Sequence, residues 1–214
     1  MNPDISVKSA RSSQMPIRLL LGVLLLCLVY TAIQAAFLVG IIVEPFASMF
    51  SLFPGLVGVA FLLFEGFHLS DLYLRLGGIS RVGLALYVAM IIPYWFIIIP
   101  TGAYVGWRWV DALLYAPIGA ISQELFFRAV LLPALLVMFN GRIRLALICH
   151  SFLFGLWHIG TIFAGTPIPA VMAVMFVPLI YGLVWGWQVM RDRTILWSIL
   201  HHSLLLSVMS FYTW

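Results

Sequence analysis

Long apolar runs alternate along this chain with short polar interruptions. A helix that crosses the ~30 Å apolar layer of a bilayer needs about 20 mainly apolar residues. By that measure seven runs predict spanning helices, over 17–43, 50–67, 83–105, 110–139, 145–163, 168–190 and 194–213. The second is short. The first and fourth are long enough to tilt strongly or to include an interfacial turn. Pro117, Pro133 and Pro178 fall inside runs and predict kinks, which membrane helices tolerate. The segment from His68 to Gly78 is mildly amphipathic and predicts a stretch lying along the interface.

Composition turns this pattern into a fold class. The chain has 214 residues, is 64% hydrophobic and 8% charged, and has a mean hydropathy of +1.13. A soluble domain of that size could not hide so much apolar surface, so lipid must serve as solvent. The expectation is an all-α fold, a polytopic transmembrane helix bundle of about seven spans. Residues 1–16 read as a cytosolic N-terminal tail and 17–214 as a single transmembrane domain, with no second, soluble domain. The first run is too long for the apolar core of a cleavable signal peptide. Cys27 and Cys149 both lie within apolar runs and read as small core or lipid-facing residues, not as a disulfide or metal site.

The net charge of +4 matters through its placement. Lys8, Arg11 and Arg18 precede the first span or open it. Arg75 and Arg81, Arg142 and Arg144, and Arg191 and Arg193 fall in alternate connections. If every run crosses once, all of them share one side, and the positive-inside rule makes that side cytosolic. Glu44, the Arg108/Asp111 pair and Gly165-Thr166-Pro167 fall on the other, where Arg108 alone breaks the bias. The charge is therefore a topology signal, and the partner it implies is the lipid bilayer, with no nucleic acid. Trp107, Trp109, Trp197 and Trp214 near predicted span ends read as interfacial anchors.

A charge at mid-membrane costs about 2.5–3.5 kcal/mol on the lenient insertion scale, so each one asks for a reason. In the fourth run Glu124 and Arg128 are four residues apart and share a helix face. A structural ion pair is the plain reading and a functional one is the default for intramembrane charge. His158 lies in the fifth run and the His201-His202 pair in the seventh. Adjacent residues of a helix face different ways, so one of that pair at most points at a shared site. At ~1.5 Å per residue, Glu124 is roughly 22 Å into its run, His158 roughly 20 Å and His202 roughly 12 Å, all around the middle of the apolar layer. A carboxylate and two imidazoles at one depth can activate water by general-base chemistry. They could equally hold zinc, through His158, His202 and Glu124, with an open position. Glu65 and His68 form a lesser polar pair that reads as interfacial, and His150 reads as structural.

Gln123-Glu124-x-x-x-Arg128, Ser151-x-x-Phe154-x-x-x-His158 and the histidine after Trp197-Ser198-Ile199-Leu200 resemble the motifs of the CPBP family, the CAAX-processing and bacteriocin-processing intramembrane proteases. Glu124-Leu-Phe-Phe-Arg-Ala resembles that family's Glu-Leu-Leu-Phe-Arg-Gly. The spacing from Gly182-x-x-x-Gly186 selects His202 over His201. The resemblance covers about 115–206 and implies a CPBP-like core over about 110–210. It implies a hydrolase that cleaves a peptide bond in a membrane-associated or lipidated peptide or protein substrate, in a bacterial inner (plasma) membrane. By position, Gln123 and Glu124 fill the family's glutamate pair, Arg128 its arginine, and His158 and His202 its histidines. Glu124 and His158 would activate water and His202 would polarise the scissile carbonyl, with no cofactor required, zinc being the alternative.

Two positions depart from that pattern. Gln123 stands where the family has the first glutamate, and an amide is no base at neutral pH. The chain is then inactive, an engineered variant, or one that has moved the role to Glu124. Leu206 stands where the family has an asparagine, and one oxyanion donor is worth about 10²–10³ in rate. Ser203, Ser207 or His201 could stand in for it. The alternative function is a catalytically impaired relative that binds membrane peptide or lipid as a chaperone or regulator. A small transporter or proton relay ranks last, because the polar groups cluster at one depth.

Overall fold

The computed structural model describes residues 15–93, 103–160 and 168–213. Residues 1–14 of the expected tail, 94–102 of the third run, the Gly165–Pro167 turn and Trp214 lie outside the described residues. The fold is all-α. Seven helical elements follow one another among the described residues: α1 (Met15–Leu38), α2 (Phe46–Phe64), α3 (Arg81–Pro93), α4 (Asp111–Met138), α5 (Ile143–Trp157), α6 (Ile168–Asp192) and α7 (Leu196–Met209). Four stretches, Ile17–Leu38, Phe46–Phe64, Asp111–Met138 and Ile143–Gly160, are long and apolar enough to cross a membrane, and Arg81–Ile92 and Leu196–Met209 are shorter apolar helices.

Burial ranks these helices. Within its most apolar window α4 is 78% buried, against 22% for α1 and 33% for α2. The helix that carries Glu124 and Arg128 is thus the central one, with α1, α2, α5 and α7 packed against it. Two of its turns are widened to π-helical geometry, over Asp111–Tyr115 and Leu125–Leu131. Each ends just short of a proline. A proline clashes with the carbonyl four residues back and offers it no N–H. Those carbonyls belong to Leu113 and Ala129, inside the widened turns, so the expected kinks take the form of π turns. Pro178 sits within α6, which runs unbroken from Ile168 to Asp192.

Close approach of α5 and α6 depends on glycine. A Cβ on Gly155 would stand 2.7 Å from the Met175 carbonyl oxygen, so no larger residue fits there without movement. The small-residue seam lets helix backbones meet where lipid offers no hydrophobic drive.

Several expectations need correcting. The first span stops at Leu38, not 43, in a turn where Gly40 takes φ +76°. The third does not run as helix to 105, because Ala103–Tyr104 pairs as a two-residue antiparallel strand with Tyr212–Thr213. That partner lies at the far end of the chain, beyond the reach of any local periodicity.

The segment after α2, expected as an interfacial stretch, forms a strap bound to the α6–α7 turn. Arg75 Nε donates to the Arg193 carbonyl at 2.7 Å, Thr194 Oγ1 donates to the Arg75 carbonyl at 2.7 Å, and Ile195 N donates to Tyr73 O at 3.1 Å. Trp197, expected as an interfacial anchor, donates from Nε1 to the Gly77 carbonyl at 2.8 Å. Tyr73 adopts φ +59°, uncommon outside glycine, and its ring lies under the Arg193 guanidinium at 5.3 Å. Burial pushes its phenol up to about 12. Glu65 pairs with Arg18 at 3.7 Å, and His68 N donates to Asp71 Oδ2 at 2.9 Å.

Candidate active site

The ordinary i, i+4 spacing on α4 sets the first contact. Glu124 ends the α-helical segment and Arg128 sits in the π turn that follows, with Arg128 Nε 3.2 Å from Glu124 Oε2 and both side chains fully buried. From α7, His202 Nδ1–H donates to Glu124 Oε1 at 2.8 Å. Both carboxylate oxygens are thus engaged. His201 faces another way: its Nδ1 accepts from Trp185 Nε1 at 3.0 Å and its ring stacks on Tyr87 at 4.5 Å. Of the two adjacent histidines it is His202 that meets Glu124.

The guanidinium of Arg128 lies in an aromatic cage. Its carbon is 4.1 Å from the Phe154 ring centroid, 5.2 Å from Trp185 and 6.0 Å from Phe127. Ring faces attract a cation by roughly 2 kcal/mol or more when water is absent. Nη1 and Nη2 are buried with no hydrogen-bond acceptor among the described residues, so the rings and Glu124 carry the charge.

His158 is not in the middle of its span. Helix α5 ends at Trp157, and His158 caps it at the start of a 3₁₀ turn. Its Nδ1 lies 2.8 Å from the Phe154 carbonyl oxygen, one of the acceptors that a helix end leaves without an intrahelical partner. The Phe154 ring stands edge-on between the two imidazoles, 5.1 Å from His158 and 6.2 Å from His202. His158 therefore flanks the Glu124–Arg128–His202 cluster across one aromatic ring.

In the neutral state a His202 that donates from Nδ1 carries its lone pair on Nε2. An imidazole backed by a carboxylate in this way is aimed at it and held in one tautomer. The group can take a proton from water and return it to a leaving amine.

The remaining expected residues fall outside these contacts. Gln123 leaves its Oε1 buried without a hydrogen bond. Leu206, one turn past His202, faces α4 so that a methyl on Gly119 would meet its Cδ1 at 3.9 Å. Of the stand-ins considered for the missing donor, Ser207 Oγ is committed to the Ala112 carbonyl at 2.6 Å and His201 to Trp185. His150 is fully buried behind Phe127, with their rings 6.4 Å apart.

His158, His202 and Glu124 do not fit the zinc alternative. Among the described residues no three His, Cys, Asp or Glu side chains converge as metal ligands would. The Glu124 oxygens face His202 and the Arg128 cation, which would repel a dication.

Phe154, Trp185 and Tyr87 complete the site and were not among the candidates. Of the three, Phe154 is legible in the Ser151-x-x-Phe154-x-x-x-His158 motif, whereas Trp185 and Tyr87 carry no motif signal.

The fold and this cluster define a helical membrane protein with a buried charged centre to which α3, α4, α5, α6 and α7 all contribute side chains. Residues 105–207, just under half of the chain, match the family model described as Type II CAAX prenyl endopeptidase Rce1-like. That stretch holds Glu124, Arg128, His158 and His202, and over it the resemblance to the CAAX-processing intramembrane proteases is borne out. No curated protein and no solved structure matches the chain.

Proposed function

We propose that the chain is an intramembrane endopeptidase that cleaves a peptide bond in a lipidated, CAAX-type substrate held at the membrane. The observation that carries this reading is the 2.8 Å bond from His202 to a fully buried Glu124 whose second oxygen is held by Arg128, all within the Rce1-like stretch. Glu124 acts through His202, whose Nδ1 position and tautomer it fixes. His158 stands across Phe154 and shares the handling of the water proton. Arg128 supplies the counter-charge to that carboxylate inside the bundle. In this reading the chemistry runs on these side chains. The reading puts the arginine-rich end of the bundle on the cytosolic face of a bacterial inner membrane, the side that the positive-inside rule favours.

A reporter peptide with a prenylated C-terminal cysteine motif, presented to the protein in proteoliposomes, tests the reading. Cleavage should survive chelator treatment and fall by about 10²–10⁴ in Glu124→Gln and in His202→Gln, the range for loss of a general acid–base group. Unchanged turnover in both variants would remove the cluster from the chemistry.

A second reading, an impaired relative that binds peptide without cutting it, is favoured by Gln123 and by the apolar contact of Leu206 with α4. Gln123→Glu discriminates between the two. A gain of about tenfold or more, within the range that one added general base supplies, favours a parent weakened at that position. Binding without turnover in both parent and variant favours the second reading.

A further inference from the structure

Trp185 lies outside the motifs that carry the chemistry, yet it touches Arg128, His201 and His202. Its indole is tilted 30° to the His202 imidazole, with ring centroids 4.6 Å apart. The Arg128 guanidinium carbon stands 5.2 Å from its centroid. Its Nε1–H donates to His201 Nδ1 at 3.0 Å. The side chain is 2% exposed, in the C-terminal half of α6.

The indole itself is held. Tyr181 packs against it at 5.0 Å and 64°. On the far side of His201, Tyr87 stacks at 4.5 Å and donates from its hydroxyl to Gln188 Oε1, and Gln188 Nε2 donates to Asp192 Oδ2 at 3.1 Å. These links run from the centre of the bundle to the arginine-rich end of α6.

A single hydrogen bond fixes where the Nδ1 of His202 lies but leaves the ring free to rotate about that bond. A ring face packed against the imidazole removes the rotation. The same indole presents its π electrons to Arg128, so one rigid residue sets both partners of Glu124.

We propose that Trp185 is a positioning residue that fixes the ring plane of His202 and the guanidinium of Arg128 relative to Glu124. Its kinetic consequence rests on the endopeptidase reading; its structural consequence does not.

The test uses the full chain in lipid nanodiscs with its five histidines labelled at Cε1, their signals assigned through His201→Gln and His202→Gln. In the parent, His202 should give one signal displaced by the indole ring current. In Trp185→Met, a swap that keeps much of the apolar volume, that displacement should vanish while the loop residue His68 keeps its position. Trp185→Phe should give a single, less displaced His202 signal. A His202 signal identical in parent, Phe and Met variants overturns the proposal. In the cleavage assay, Trp185→Met should lose on the order of 10²-fold in kcat, the cost of misplacing a catalytic group by about 1 Å. KM should stay within about threefold, and Trp185→Phe should recover most of kcat. A Phe variant as slow as Met despite a parental melting temperature also overturns it. If the parent cuts no reporter, the endopeptidase reading falls and the histidine spectra alone decide the role of Trp185.

Discussion

Two polar networks converge on α7 and are built on opposite principles. At the arginine-rich end, the strap binds the α6–α7 turn through neutral and charged donors that each find a backbone carbonyl: Arg75 to Arg193, Thr194 to Arg75, Trp197 to Gly77. Around His202, two turns further along, a fully buried ion pair leaves guanidinium N–H groups facing rings with no acceptor among the described residues. A network whose members are all satisfied rigidifies a fold, whereas a buried charged group without its full set of partners costs free energy and asks for another explanation. The first network therefore reads as scaffold and the second as chemistry. Their variants should separate accordingly.

The largest separation is expected at Glu124. Glu124→Gln should abolish measurable cleavage and also destabilise the protein by about 3–5 kcal/mol, because it strands the buried Arg128 charge. Thermal unfolding in detergent, read beside the cleavage assay, measures both. The double variant Glu124→Leu with Arg128→Met should recover most of that stability and none of the activity, since apolar replacement of a whole buried pair is often neutral or better. If the double variant is as unstable as the single one, the ion pair is scaffold as well.

Thr194→Val should show the reverse behaviour. It removes the bond to Arg75 and the cap in which Thr194 Oγ1 accepts from Leu196 N at 3.2 Å, costing about 1–2 kcal/mol. Turnover at a temperature where the variant is folded should stay near that of the parent. Trp197→Phe should cost least, about 1 kcal/mol for one hydrogen bond. A kcat loss in either strap variant comparable to that of Glu124→Gln would erase the distinction between the two regions.

How far the sequence could foretell this contrast depended on the range of the interaction. The Glu124–Arg128 contact is local, so four-residue spacing was enough to predict it. His202 needed a resemblance, because nothing within α7 says which of two adjacent histidines faces α4. His158 was misplaced because hydropathy counts apolar residues and does not register where a helix stops. The run continues past Trp157 while the helix does not, and the His158 side chain itself helps to end it by bonding the Phe154 carbonyl. The strap's bonds are hidden from the sequence for a related reason. They join side chains to backbone more than a hundred residues away and leave no periodic trace. Ala103–Tyr104 was read as helix because the partner it pairs with sits near the C-terminus. Trp185 leaves the faintest mark, because its contacts to Arg128, His201 and His202 all come from other helices.

The contrast rests on one claim, that the Glu124–His202 bond is a working pair and not a brace. Turnover of a prenylated reporter by reconstituted parent and His202→Gln protein tests it most directly. The amide of the variant can still donate to Glu124 but cannot take up a proton. The expected result is a folded variant with a melting temperature close to the parent and cleavage lower by about 10²–10⁴. A folded variant that cleaves as fast as the parent would contradict the account.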